Sequence, residues 1–230
     1  MSNEPAAPVL GRPAAVIFDL DGTLVDSVYQ QVAAWQMAIA AEDLRVPAWQ
    51  IHRVVGLGVR EAAARLGLAL TPPTARRLQA EHHRILLELS PGLLPCTGAQ
   101  ELLAALTSDG VPFAVVTGAG EAVAEVLLRH VPSMAGCPVV TADSGLPAKP
   151  APDALMWALV KLGVAAPACW MIGDTPSDME AARRAGGLAI GVQTGGWPVD
   201  DLHEAGAAHV VSDLRDLARW WRGEPMPLLP

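Results

Sequence analysis

The chain has 230 residues, 51% of them apolar, and a formal charge of −8 at pH 7. That length suits one large domain or a domain carrying an insertion, and the apolar share is enough for a core. The acidic balance without a basic run argues against a nucleic-acid partner, no apolar run approaches the ~20 residues that span a bilayer, and the N-terminal MSNEPAAPVLGRP is too polar for the apolar region of a signal peptide.

Three cysteines, Cys96, Cys137 and Cys169, show no CxxC or Cys/His metal spacing and read as free thiols of a reducing cytosol. The expectation is a soluble, cytoplasmic protein without nucleic-acid or membrane partners.

Taken in order, residues 1–13 form a loose tail. An apolar run from Ala14 leads to Asp19 and suits a buried parallel strand. Asp19 and Asp21 are two apart, so a strand points both the same way. Two carboxylates so close repel unless a cation or a shared proton relieves them, which asks for a metal, an acid–base role, or both. Asp26 or Ser27 is placed to cap a helix with Val28, Val32, Trp35 and Ile39 at helical spacing. From there to about Pro95 the pattern is helical, with no strand. Pro47–Gly56 and Val59–Leu66 read as short helices, and Pro72-Pro73 starts a longer one with Leu78, Ile85 and Leu89 on one face. PGLLPCTG then breaks the pattern.

After this break helices and strands alternate: helix Gln100–Thr107, strand Val111–Thr117, helix Glu121–Arg129, strand Cys137–Ala142, helix Pro152–Leu162, strand Cys169–Gly173. Ser177-x-x-Glu180 reads as a capping box for the next helix. Short strands Leu188–Val192 and His209–Val211 follow, then helix Leu214–Trp221 and a tail over 223–230. Such alternation predicts an α/β fold with a parallel sheet covered on both faces. The division expected is a core over 14–25 and 96–222, with an all-helical block over 26–95 inserted after the first strand.

Three apolar runs end in polar groups, at Asp19, at Thr117-Gly118 and at Asp174, and open α/β sheets bind ligands outside the carboxyl ends of their strands. Asp174 is costly at the end of an apolar run without a partner. Asp178, one turn later, is either a second member of the acidic set or a residue favoured by the helix dipole. Lys149, in PAKPAPD, is either a solvated loop charge or a countercharge to the carboxylates. TGAGEAV imitates a dinucleotide loop, but Val123 stands where the third glycine belongs. His82 and His83 are adjacent on a helix and do not share a face. His52, Arg53 and Arg60 flank Gly56–Gly58 at a turn able to face the site, as surface charges or as substrate contacts. Trp35, Trp157 and Trp170 sit at core spacing, whereas Trp197 lies in a loop near the ligand end of the sheet.

Together DLDGTLVDS, VVTG, AKPAPD and GDTPSD resemble the four motifs of the haloacid dehalogenase superfamily, in order across residues 15–178. The helical block resembles the small cap of its phosphoglycolate phosphatase and β-phosphoglucomutase branch. The dehalogenases themselves carry a different residue in place of Asp21, so the resemblance points to phosphate chemistry on a Rossmann-like core.

The resemblance implies a role for each residue. Asp19 would attack phosphorus to give an aspartyl-phosphate, and Asp21 would protonate the leaving oxygen and then activate water. Mg²⁺ would be held by Asp19, the Asp21 carbonyl, Asp174 and waters, with Asp178 supporting that shell. The Thr117 hydroxyl, the Gly118 amide and the amides of Leu20 and Asp21 would bind phosphoryl oxygens, and Lys149 would balance charge. His52, Arg53 and Arg60 would read the far end of the substrate. The expected function is a Mg²⁺-dependent phosphatase of a small phosphorylated metabolite, phosphoglycolate or a sugar phosphate, acting as a monomer or homodimer. A mutase of the β-phosphoglucomutase type is the alternative, and a non-catalytic binding protein on the same fold a remote one.

Overall fold

The computed structural model describes residues 11–57, 59–225, 227 and 229; the side chain of Arg60, an expected substrate contact, and residues 1–10 of the expected tail lie outside the described residues. The first strand, β1 (Ala15–Phe18), is followed by a two-residue strand β2 (Val25–Asp26) and four helices, α1 (Val28–Ala41), α2 (Ala48–His52), α3 (Val59–Arg65) and α4 (Pro72–Leu89). Strand β3 (Leu94–Pro95) closes this helical stretch. The remainder alternates as expected: α5 (Ala99–Ser108), β4 (Phe113–Val116), α6 (Glu121–Leu128), β5 (Val139–Val140), α7 (Asp153–Leu162), β6 (Cys169–Gly173), α8 (Pro176–Ala185), β7 (Leu188–Val192), α9 (Val199–Ala205), β8 (His209–Val211) and α10 (Leu214–Trp221).

Six of these strands form one parallel sheet in the order β5-β4-β1-β6-β7-β8. The chain builds outward from β1 to β5, then returns to the other side of β1 and continues to β8. The reversal between β1 and β6 is where doubly wound sheets open a crevice at their carboxyl ends. Because strand side chains alternate, each face of the sheet has its own core. Val16, Phe18, Val115, Ile172 and Ile190 pack with leucines of α5 and α10, while Ala15, Ile17, Val116, Met171 and Ala189 pack with α7, α8 and α9. Trp170 carries its ring to Trp220 and Trp221, with centroids 5.2 and 6.0 Å away. Arg12 lies over the Trp221 ring and pairs with Asp109 at 2.6 Å.

Several local expectations are corrected. β2 and β3 pair antiparallel, Val25 with Pro95 and Asp26 with Leu94, where the sequence shows only helix and turn signals. Two residues per strand leave no periodicity to read. The box that caps α8 is Thr175 with Asp178, two residues earlier than Ser177 and Glu180; Pro176 at the first helical position favours that start. Ser27 stands at the N-cap of α1 without bonding it, because its hydroxyl is used elsewhere. Helix α9 has no counterpart among the expected elements. Leu89 and Trp157, expected in the core, are 37% exposed each.

Candidate active site

Phe18 lies beside Val115 of β4 and Ile172 of β6, so the residues just past these three strands are neighbours. Asp19 is fixed by its amide, which donates to the Ile172 carbonyl at 2.9 Å. Thr117 and Asp174 follow two residues after Val115 and Ile172 and turn toward the same cavity, which Asp19, Asp21, Thr117, Gly118, Lys149 and Asp174 line together. Gly22, at φ 74°, carries the chain away from the strand. A Cβ there would overlap the Asp174 carboxylate, so only glycine fits at this approach. Thr23 donates its hydroxyl to Asp174 Oδ1 at 3.0 Å.

Lys149 settles its two readings. It is 6% exposed, and its Nζ donates to Asp19 Oδ1 at 2.5 Å, Asp178 Oδ1 at 2.5 Å and the Val116 carbonyl at 3.1 Å. All three ammonium protons are therefore used inside the protein. Asp178 likewise serves both of its readings. Its Oδ2 accepts from the Thr175 amide at 3.1 Å and its own amide donates to Thr175 Oγ1 at 3.3 Å, which closes the capping box, while Oδ1 holds the lysine.

One lysine does not neutralise this much buried acid. Burial raises the Asp19 carboxyl to about 7, against the opposing pull of Lys149. Burial also holds Asp174 well above the ordinary carboxylate range, and the neighbouring Asp19 and Asp178 push it the same way. Burial by itself would lower the Lys149 amine, but Asp178 and Asp19 outweigh it and the net shift is upward. Carboxylate oxygens of Asp19, Asp174 and Asp178 all lie within 4.8 Å of one another. A divalent cation would relieve their repulsion, and an all-oxygen set suits a hard ion such as Mg²⁺.

The Asp21 side chain lines the same cavity but is held by bonds of its own. Its Oδ1 accepts from the Ser27 hydroxyl at 2.5 Å and from Gln31 Nε2 at 2.8 Å. Burial raises its carboxyl, and the bonds from Gln31 and Ser27 pull it back. Leu20, between the two aspartates, is fully buried. Thr117 Oγ1 accepts from the Ala119 amide at 3.0 Å. Gly118 lies so near the Gly56 carbonyl that a Cβ would overlap it.

Of the residues expected to read the substrate, the two described side chains diverge. His52 lines the cavity, with Nε2 2.8 Å from the Gly195 carbonyl and its ring stacked near Tyr29. Arg53 points elsewhere: it pairs with Asp201 at 2.8 Å and lies over the Trp197 ring at 4.4 Å. Gly195 in turn abuts Asp174, where a Cβ would overlap the carboxylate.

Sequence reasoning missed Ser27, Gln31 and His82. A signal was present for two of them: Gln31 falls between Val28 and Val32 on the buried face of α1, and His82 between Leu78 and Ile85 on that of α4. A polar residue on an apolar stripe needs a partner.

A family model of haloacid dehalogenase-like hydrolases matches residues 13–186. Phosphoglycolate phosphatase of Rhodospirillum rubrum is 34% identical over 229 residues, covering 94% of this chain and 93% of its own length. N-acetylmuramic acid 6-phosphate phosphatase of Pseudomonas aeruginosa is 33% identical over 211 residues, covering 90% and 93%. A hydrolase of Pseudomonas syringae of known structure superposes with a TM-score of 0.87 at 34% identity, over 92% of this chain and 98% of its own. The motif order, the crevice at the β1–β6 reversal and these likenesses agree, and the chain belongs to the haloacid dehalogenase-like hydrolases, as a phosphoric monoester hydrolase.

Proposed function

We propose that the protein is a Mg²⁺-dependent phosphatase of a small phosphorylated metabolite, phosphoglycolate or a sugar phosphate, working through an aspartyl-phosphate on Asp19. The observation that carries this reading is the buried cluster of Asp19, Asp174 and Asp178 around Lys149, beside Thr117. Asp19 attacks phosphorus while the bond to the leaving oxygen breaks. Asp21 gives that oxygen its proton, then takes one from the water that attacks the phosphoryl group, releasing phosphate and Asp19. Thr117 and the amides of Leu20, Asp21 and Gly118 bind the phosphoryl oxygens, and Lys149 holds Asp19 in place. Asp19, Asp174, Asp178 and the Asp21 carbonyl would hold Mg²⁺, which supplies charge neutralisation for the incoming phosphate.

The helices of residues 26–95 act as a cap over a core of 14–25 and 96–222, with tails at 1–13 and 223–230. The cap contact of Gly56 with Gly118 and the bond of His52 to Gly195 support that arrangement. The free state of all three cysteines supports a cytoplasmic location, and among the described residues no helix is long and apolar enough to cross a membrane.

Phosphate release from a panel that includes phosphoglycolate and N-acetylmuramic acid 6-phosphate, with Mg²⁺ and with EDTA, tests the proposal. Wild type is expected to turn over only with Mg²⁺, and Asp19→Asn to lose about 10³-fold or more. Equal release by both proteins would overturn the mechanism. Recovery of the phosphoryl group on a second sugar hydroxyl would instead make the protein a mutase.

A further inference from the structure

Asp21 sits at the end of a buried hydrogen-bond chain that the reaction as drawn leaves unused. A carboxylate only accepts, so Gln31 must present its amide nitrogen to Asp21 Oδ1, 2.8 Å away. Gln31 Oε1 then faces His82 Nε2 at 2.7 Å, and that nitrogen must carry the ring proton. The His82 ring is stacked on Trp35, with centroids 3.9 Å apart and planes 13° apart. Gln31 is 6% exposed and His82 4%. The tautomer leaves His82 Nδ1 a bare acceptor, and it is buried with no hydrogen-bond partner among the described residues. A leucine or phenylalanine would fill this place without that penalty. The histidine is thus better explained by the one bond that it does make. Burial lowers the ring to about 3, so it stays neutral and cannot itself shuttle the proton.

Both Ser27 and Gln31 bond to Oδ1, which leaves Oδ2 as the oxygen to carry a proton. Asp21 faces two cavities. It shares one with Asp19; the other, of ≈ 60 Å³, is lined by Gln31, Trp35, Gln79, His82 and His83 and adjoins Gly118.

We propose that Gln31, clamped by His82, is a positioning residue that aims Asp21 Oδ2 at the leaving oxygen. The inference rests on the reading of Asp21 as the proton donor. Gln31 comes from α1 and His82 from α4, so two helices of the insertion have to be packed together to hold the acid of the core.

The test compares kcat/KM for phenyl phosphate, whose leaving oxygen needs a proton, with that for 2,4-dinitrophenyl phosphate, whose leaving group departs as the anion. This ratio is insensitive to hydrolysis of the intermediate. Gln31→Met keeps length and burial but removes both bonds. It is expected to lose about 30- to 100-fold on phenyl phosphate, part of the ~10²- to 10⁴-fold that general acid catalysis supplies, and under about 3-fold on 2,4-dinitrophenyl phosphate. His82→Leu should show a smaller loss of the same kind, and His82→Gln, which keeps a donor, should recover most of it. Activity on 2,4-dinitrophenyl phosphate and the melting temperature report that each variant is folded. Equal losses on both substrates, or no loss, would overturn the positioning role if Asp21→Asn still splits them. If Asp21→Asn shows no split, the reading of Asp21 itself fails, and the positioning role with it.

Discussion

At the residue scale the site is a problem of buried charge. Asp19 and Asp174 are held above their ordinary values chiefly by burial. An acid raised in the folded state contributes stability that is full below its unfolded value of 3.8 and lost as the pH climbs through about 7. His82 has the opposite sign: its contribution is present above 6.5 and lost as the pH falls toward about 3. Between about pH 6.5 and 8 the carboxylates therefore dominate. Scanning calorimetry of the metal-free protein should show the midpoint falling over this window, with Mg²⁺ raising it more at the upper end. Asp174→Asn removes one buried charge while leaving an oxygen for Thr23. That variant is expected to melt higher than wild type without metal, to lose the Mg²⁺ shift and to be inactive. A lower midpoint for the metal-free variant would show that Asp174 is not strained.

At the element scale, three strand ends and one helix start assemble the site, and glycines set how closely they meet. Gly118 follows β4 and faces the Gly56 carbonyl of the helical insertion. Gly118→Ala keeps the amide that is proposed to bind phosphate, so it separates binding from closure. Overpacking of this kind costs about 1–3 kcal/mol, or about 5- to 150-fold if it opposes closure alone. We expect that loss in kcat/KM, together with faster proteolysis between the insertion and the sheet domain. Unchanged kinetics would mean that Gly56 yields freely. Glu121 starts α6 with its amide donating to Asp143 Oδ2 at 2.7 Å.

Across the whole molecule, the helical stretch is also tied to the loop and helix that follow β7, at the rim of the carboxylate cavity. Arg53 of the insertion meets Asp201 of α9 and the Trp197 ring, and His52 meets the Gly195 carbonyl. Arg53 and Asp201 are 47% and 37% exposed, so solvent screens the pair and its worth to stability is about 0–1 kcal/mol. Arg53→Ala and Asp201→Ala should therefore leave the melting temperature almost unchanged. Their effect should fall on substrate capture, as a rise in KM that grows smaller with salt. A double-mutant cycle on KM reads the coupling, and additive effects would remove this contact as a closure latch.

The sequence by itself determined the alternating core, the run of helices between its first strand and the rest, and the six polar residues Asp19, Asp21, Thr117, Lys149, Asp174 and Asp178 that line one cavity. These are legible because strand alternation and the ends of apolar runs are local, and a parallel sheet brings such ends together whatever the details. Only the tertiary structure decided which carboxylates Lys149 spans, that Arg53 turns to Asp201, and that Ser27 and Gln31 bond Asp21 with His82 behind Gln31. The β2–β3 ribbon belongs with these, since its two-residue strands exist only as a pair. Each such contact joins residues of different segments of the chain. No periodicity within either segment encodes that meeting; it follows from how the helices pack once the sheet has formed.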